Sequence, residues 1–201
     1  DAVKVTDPTR LKSEATDKVV WQAVFGEGAD RDAARWLLWE LGQATGVRPS
    51  SIGPIYFARG RGECGGFTVP AINVRMMTYD TARAIFRAAT KRNGGAILLE
   101  IARSEIAYTD QRPAEYVAVI LAAALREGWT LPVFIQGDHC QVNAKKYQGD
   151  PRGEVNEVKK LIAEEIGAGF YNIDVDTSTL VDLSRPTLLE QQRLNFEHAL
   201  L

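Results

Sequence analysis

Asp138 and His139 stand side by side one glycine after the apolar run LPVFIQ (131–136). An aspartate can give or take a proton at a substrate hydroxyl, and a histidine nitrogen is a common ligand of divalent cations. Adjacent on one rigid support, they would combine acid/base chemistry with metal binding. Asp174 and Asp176 add two more acids at the end of a second β-rich run, FYNIDV (170–175). There they suit a divalent cation or sugar hydroxyls. The plainer alternatives are a turn cap for each aspartate and an ordinary loop position for His139. Glu100, near the end of AILLEI (96–101), reads most simply as a partner for Arg103. His198 lies among polar residues of the last segment and is expected on the surface. Residues 60–65 (GRGECG) spell G-x-G-x-x-G, but a dinucleotide fingerprint needs a strand before it and a helix after it. A strand-like run follows instead, so this segment is expected to be a flexible loop.

These residues need strands to hold them, and the pattern supplies strands and helices in alternation. FTVPAINV (67–74) is β-rich, with Pro70 suited to a strand start or edge. Residues 78–92 place Ala82, Ile85, Phe86 and Ala89 on one helical face, and Asn93-Gly94-Gly95 stops the helix. The short apolar run 96–101 fits a strand covered on both sides. Pro113 opens the next helix, with Val117, Ile120, Leu121, Ala124 and Leu125 as its inner stripe. After the strand at 131–136, residues 154–166 form a third helix with Val155, Val158, Leu161, Ile162 and Ile166 inward. Lys160 and Glu164 would pair at i, i+4 on its wet side. The fourth strand is 170–175, and a last helix follows Pro186.

Strict β-α alternation implies a parallel sheet with right-handed crossovers, either doubly wound or a (β/α)₈ barrel. A complete barrel takes about 250 residues, whereas these units occupy residues 67–201. The expectation is therefore about four βα units of a barrel, residues 61–201, preceded by a helical extension over residues 1–60. In that extension one helix spans 14–25. A second is capped by Asp30 and shows Ala34, Leu37, Leu38 and Leu41 on one face beside Trp36 and Trp39. So few strands leave unpaired edges, which predicts a homo-oligomer or a further chain segment completing the barrel.

Composition narrows the partners. The 201 residues are 45% hydrophobic and 25% charged, with a net charge of −2. Nothing in that balance favours nucleic acid or a membrane surface. No apolar stretch reaches the roughly 20 residues of a membrane span, and DAVKVTDPTR lacks a leader's basic-then-apolar pattern. Cys64 and Cys140 stand far apart with no CxxC spacing, so neither a disulfide framework nor a cysteine zinc site is expected, and a reducing cytoplasm is the default.

VPAINV (69–74), PVFIQGDHC (132–140) and FYNIDVD (170–176) together resemble the class II fructose- and tagatose-bisphosphate aldolases, over roughly residues 55–201. Those enzymes show a VPAFN-like first strand, a PVxLHxDH third strand and a VMID fourth strand. The resemblance implies Asp138 as general acid/base, and His139 and Asp174 at a Zn²⁺ or other divalent cation. It implies Asn73, Ser104 and Asp176 at the sugar-phosphate substrate. It also implies that a ketose bisphosphate is split into dihydroxyacetone phosphate and glyceraldehyde 3-phosphate. Three departures stand out. Gln136-Gly137 replaces the usual His-x before the DH pair, Ala102 stands where a serine is common, and no further zinc-binding histidines from later strands have a position here. A related metal-dependent sugar-phosphate epimerase and a non-catalytic subunit that stabilises an aldolase partner are the competing expectations.

Overall fold

The computed structural model describes residues 3–201; Asp1 and Ala2 of the expected extension lie outside the described residues. Its sheet has four parallel strands in the order β1 (Ala71–Asn73), β2 (Leu98–Ala102), β3 (Phe134–Gln141) and β4 (Asn172–Asp176). Sequential order without reversal is the winding of a barrel; a doubly wound sheet changes direction at a switch point. Strands β1 and β4 are the edges of the sheet.

Helices α1 (Glu14–Phe25), α2 (Gly28–Thr45) and α3 (Gly53–Gly60) precede the sheet. Asp30 lies inside the first turn of α2, not at its cap, which is Glu27. It still faces the positive end of the helix dipole. Helix α3 ends at Gly60, so the G-x-G-x-x-G letters fall in an exposed turn, as expected of a loop.

Between strands run α4 (Thr78–Lys91), α5 (Arg103–Thr109), α6 (Pro113–Arg126), α7 (Ala144–Gly149) and α8 (Pro151–Ala168), and α9 (Leu188–Ala199) closes the chain. The long helices form where the periodicity placed them; α3, α5 and α7 are too short to show one. Strand β1 is shorter than the β-rich run around it. Pro70 has no N–H to give the ladder, although its carbonyl still accepts from the Leu98 amide at 2.9 Å.

Helix α6 is the spine. Residues from Tyr116 to Leu125 are all buried, not only the predicted stripe. One side packs with Leu99, Ile101 and Ile135 of the sheet. The other, Ala118, Val119 and Ala122, receives Val20 and Ala23 of α1 and Ala34 and Leu38 of α2. Small residues there let the helices approach, and each fully buried Leu or Val contributes roughly 1.5–3 kcal/mol.

Helix α8 turns a different face inward than hydropathy suggested. Glu154, Val158, Leu161 and Glu165 are the buried residues, while Ile166 is 51% exposed. Lys160 pairs with Glu157, and Glu164 pairs with Arg112 across to the start of α6, replacing the expected Lys160–Glu164 bridge. The inner stripe thus carries an acid at each end: Glu165 meets Cys140 of β3, and Glu154 accepts from the Asn143 amide just past the end of that strand.

Candidate active site

Leu99, Ile101 and Ile135 point to the helices, so their neighbours Glu100, Gln136 and Asp138 point to the opposite face of the sheet. Asn73, in register with Glu100, joins them there. Its side-chain amide donates to Asp138 Oδ2 at 2.8 Å and to Glu105 Oε2 at 3.1 Å. Glu105, at the start of α5, also accepts from the Ala102 amide at 2.9 Å and from Arg75. Burial works against its charge, but the Ala102 amide and the Arg75 and Asn73 donors outweigh burial and hold its carboxyl below the usual range. Asn73 is thereby fixed from behind, and it fixes one oxygen of Asp138.

Glu100 takes no bond from Arg103. It accepts from Gln136 Nε2 at 2.8 Å, while Arg103 binds Glu154 and the Gln141 carbonyl. Burial, and then the neighbouring charge of Asp138, push the Glu100 carboxyl up. The unusual Gln136 is therefore the donor that satisfies this acid.

Asp138 and His139 lie within β3, which runs five residues past the expected end at 136. Successive residues of a regular strand face opposite sides, so an adjacent Asp–His pair would be split between the two faces. The ladder avoids that. Gly137 is in register with Ile173 and Cys140 with Val175, so β3 carries one extra residue between them. This is a β-bulge, and His139 adopts a left-handed conformation, φ 45°, within it. Strain at a non-glycine residue of this kind concentrates at functional positions.

His139 Nδ1 donates to Asp176 Oδ2 at 3.2 Å. In the neutral ring Nε2 is then the lone-pair nitrogen, 3.5 Å from Asp138 Oδ1. Asp174 Oδ2 lies 3.8 Å from Nδ1. Asp176, burial notwithstanding, is held down to about 2 by the Ser178 hydroxyl and amide, Gln141 and His139. The bond to Asp176 and then the charge of Asp138 raise the imidazole. Such a surround favours a positive charge at the imidazole edge.

Asp138, His139 and Asp174 each place a ligand atom within 4.8 Å of the others, and this one-nitrogen, two-carboxylate set suits a divalent cation. Ser104 is exposed and opens on a cleft of about 420 Å³ with His139, Arg103, Tyr108 and Lys146. The structure thus draws together Asn73, Asp138, His139, Asp174 and Asp176, with Ser104 at the rim. His198 is not a free surface residue: it is half-buried against Tyr147, 2.6 Å from that hydroxyl. Glu105 and Glu165 carry no motif. An acid in helical phase with Val158 and Leu161 is the one sign of the latter that the sequence offers.

No helix among the described residues is long and apolar enough to cross a membrane. Neither a curated protein nor a solved structure matches the chain. Residues 61–191, spanning all four strands and the whole cluster, match the model of the family described as fructose-bisphosphate aldolase class-II, and the chain belongs to that family.

Proposed function

We propose that this chain acts in metal-dependent aldol cleavage of a ketose bisphosphate, fructose 1,6-bisphosphate or its tagatose counterpart, giving dihydroxyacetone phosphate and glyceraldehyde 3-phosphate. The convergence of Asp138, His139 and Asp174 on one point at the strand ends carries the reading. In it, His139 and Asp174 hold Zn²⁺ or another divalent cation, and Asp138 moves the proton at the substrate hydroxyl. A bound cation supplies Lewis-acid stabilisation of the enediolate that carbon–carbon cleavage leaves.

Asn73 has a defined part in this scheme. Its donation to Oδ2 turns Asp138 so that Oδ1 faces the His139 edge. The bond from Nδ1 to Asp176 fixes the imidazole tautomer, as a carboxylate partner does for many metal-binding histidines. Asn73, Ser104 and Asp176 lie where they could contact the sugar phosphate. We place the protein in the cytoplasm, as a homo-oligomer or beside a chain segment that covers the edges of β1 and β4. The exposed Ile166 and Val175 near β4 support such a covering.

Product analysis tests this. The full chain is stripped with a chelator, resupplied with Zn²⁺ and incubated with fructose 1,6-bisphosphate and tagatose 1,6-bisphosphate in turn. Metal-dependent release of triose phosphates is the expected result. Interconversion of the two sugars without trioses would assign an epimerase, and full activity in the stripped protein would reject the metal role.

A further inference from the structure

The face of β3 turned away from the site holds a buried acid that the reaction does not use. Glu165 of α8 is 0% exposed. Its Oε2 accepts from Cys140 Sγ at 3.2 Å, and its Oε1 is buried with no hydrogen-bond partner among the described residues. The same carboxyl lies so close to Gly137 that a Cβ there would collide with it. Gly137 and Cys140 are three residues apart. On a regular strand they would point to opposite faces; they meet one carboxyl because the bulge returns Cys140 to the helix side.

We propose that Glu165 is a positioning residue, whose buried carboxyl holds Gly137 and Cys140 on one face of β3 and so keeps the bulge that aims both Asp138 and His139 at the site. Glycine at 137 leaves room for the carboxyl, which accounts for the glycine before the Asp–His pair. A buried polar atom without a partner costs stability. A leucine at this position would remove that cost, so the glutamate at 165 points to shape, not strength.

The functional meaning of this inference rests on the proposed roles of Asp138 and His139, but the geometry can be tested without them. Glu165→Gln and Glu165→Leu are compared with the parent full chain by Co²⁺ titration, amide hydrogen exchange at residues 137–140, and melting temperature. Glu165→Gln keeps shape and acceptor, and should stay within about threefold of the parent in both Co²⁺ affinity and exchange. Glu165→Leu should melt no lower than the parent, yet bind Co²⁺ at least about tenfold more weakly and exchange its bulge amides at least about tenfold faster. Parent-like exchange in Glu165→Leu overturns the proposal. If Glu165→Leu does not fold, Cys140→Ala, which removes only the thiol bond, should loosen the same amides, and unchanged exchange there overturns it equally. A parent protein that binds no Co²⁺ rejects the metal reading instead, and the exchange data then decide the role of Glu165 alone.

Discussion

Helices α1 and α2 meet α6 through Val20, Ala23, Ala34, Leu38, Ala118, Val119 and Ala122, an apolar seam beside which Arg35 pairs with Glu115 and Arg126 with Asp17. At the ends of β3 and β4, Asp138, His139, Asp174 and Asp176 crowd together, with Glu100 and Glu105 close behind. The first region relaxes into well-packed helices with ordinary backbone. The second holds a bulge, a left-handed histidine and like charges that repel one another. Each is expensive to disturb, but in a different currency: folding free energy in the helical layer, chemistry at the strand ends.

Mutation can separate the two. Asp138→Ala should lower kcat by about 10²–10⁴-fold, the usual worth of a positioned acid/base group, with melting temperature retained. Near-parent turnover would remove Asp138 from the chemistry. Leu38→Ala is the mirror experiment: the fully buried side chain should cost about 2–5 kcal/mol in urea unfolding, with kcat/KM unchanged. A large loss of activity per folded molecule would show that the helical layer shapes the site directly.

A pH series sharpens the contrast from the site's side. Burial raises the Glu165 carboxyl from 4.5 to about 7. The folded chain therefore holds this proton more tightly than the unfolded one. That stability is full below about pH 4.5, falls as pH rises to 7, and levels off above. Between pH 5 and 8 the parent should lose roughly 2–3 kcal/mol more than Glu165→Gln. Parallel curves for the two proteins would mean that the carboxyl is not buried as described. The smallest effect belongs to a pair outside both regions. Arg112 and Glu164 are about half exposed, so Arg112→Ala should shift stability by less than about 1 kcal/mol and leave activity alone.

The helical layer was readable because its residues obey one rule. Val20 and Ala23 of α1, Ala34 and Leu38 of α2 and Val117, Ile120, Leu121 and Ala124 of α6 recur at helical spacing and are buried, although Trp21, Phe25 and Trp36 are exposed. The site was readable only in its letters. Asp138, His139 and Asp174 stand at strand ends, but the bulge that lets two neighbours share a face leaves no periodic trace. Glu165 was missed because a stripe-seeking reading sends a glutamate to water and Ile166 inward. The sheet does the reverse, since Gly137 offers a hollow that fits the carboxyl. Arg103 was assigned to Glu100 by nearness in sequence. Glu154, 51 residues away, has it because the start of α8 lies beside the end of β3.

Asn172, at the start of β4, accepts from the Ile52 amide at 2.8 Å and donates to the Ile135 carbonyl at 2.9 Å and the Ser50 carbonyl at 3.3 Å. Beside it, Pro49 and Val133 form a parallel bridge. The chain just ahead of α3 is therefore stitched into the lower rim of the strands that carry the site. A shortened protein beginning at residue 61, where the family match begins, would leave Asn172 and Val133 with open hydrogen-bonding valences next to β3. Anyone choosing expression boundaries should keep residues 48–52 with the sheet.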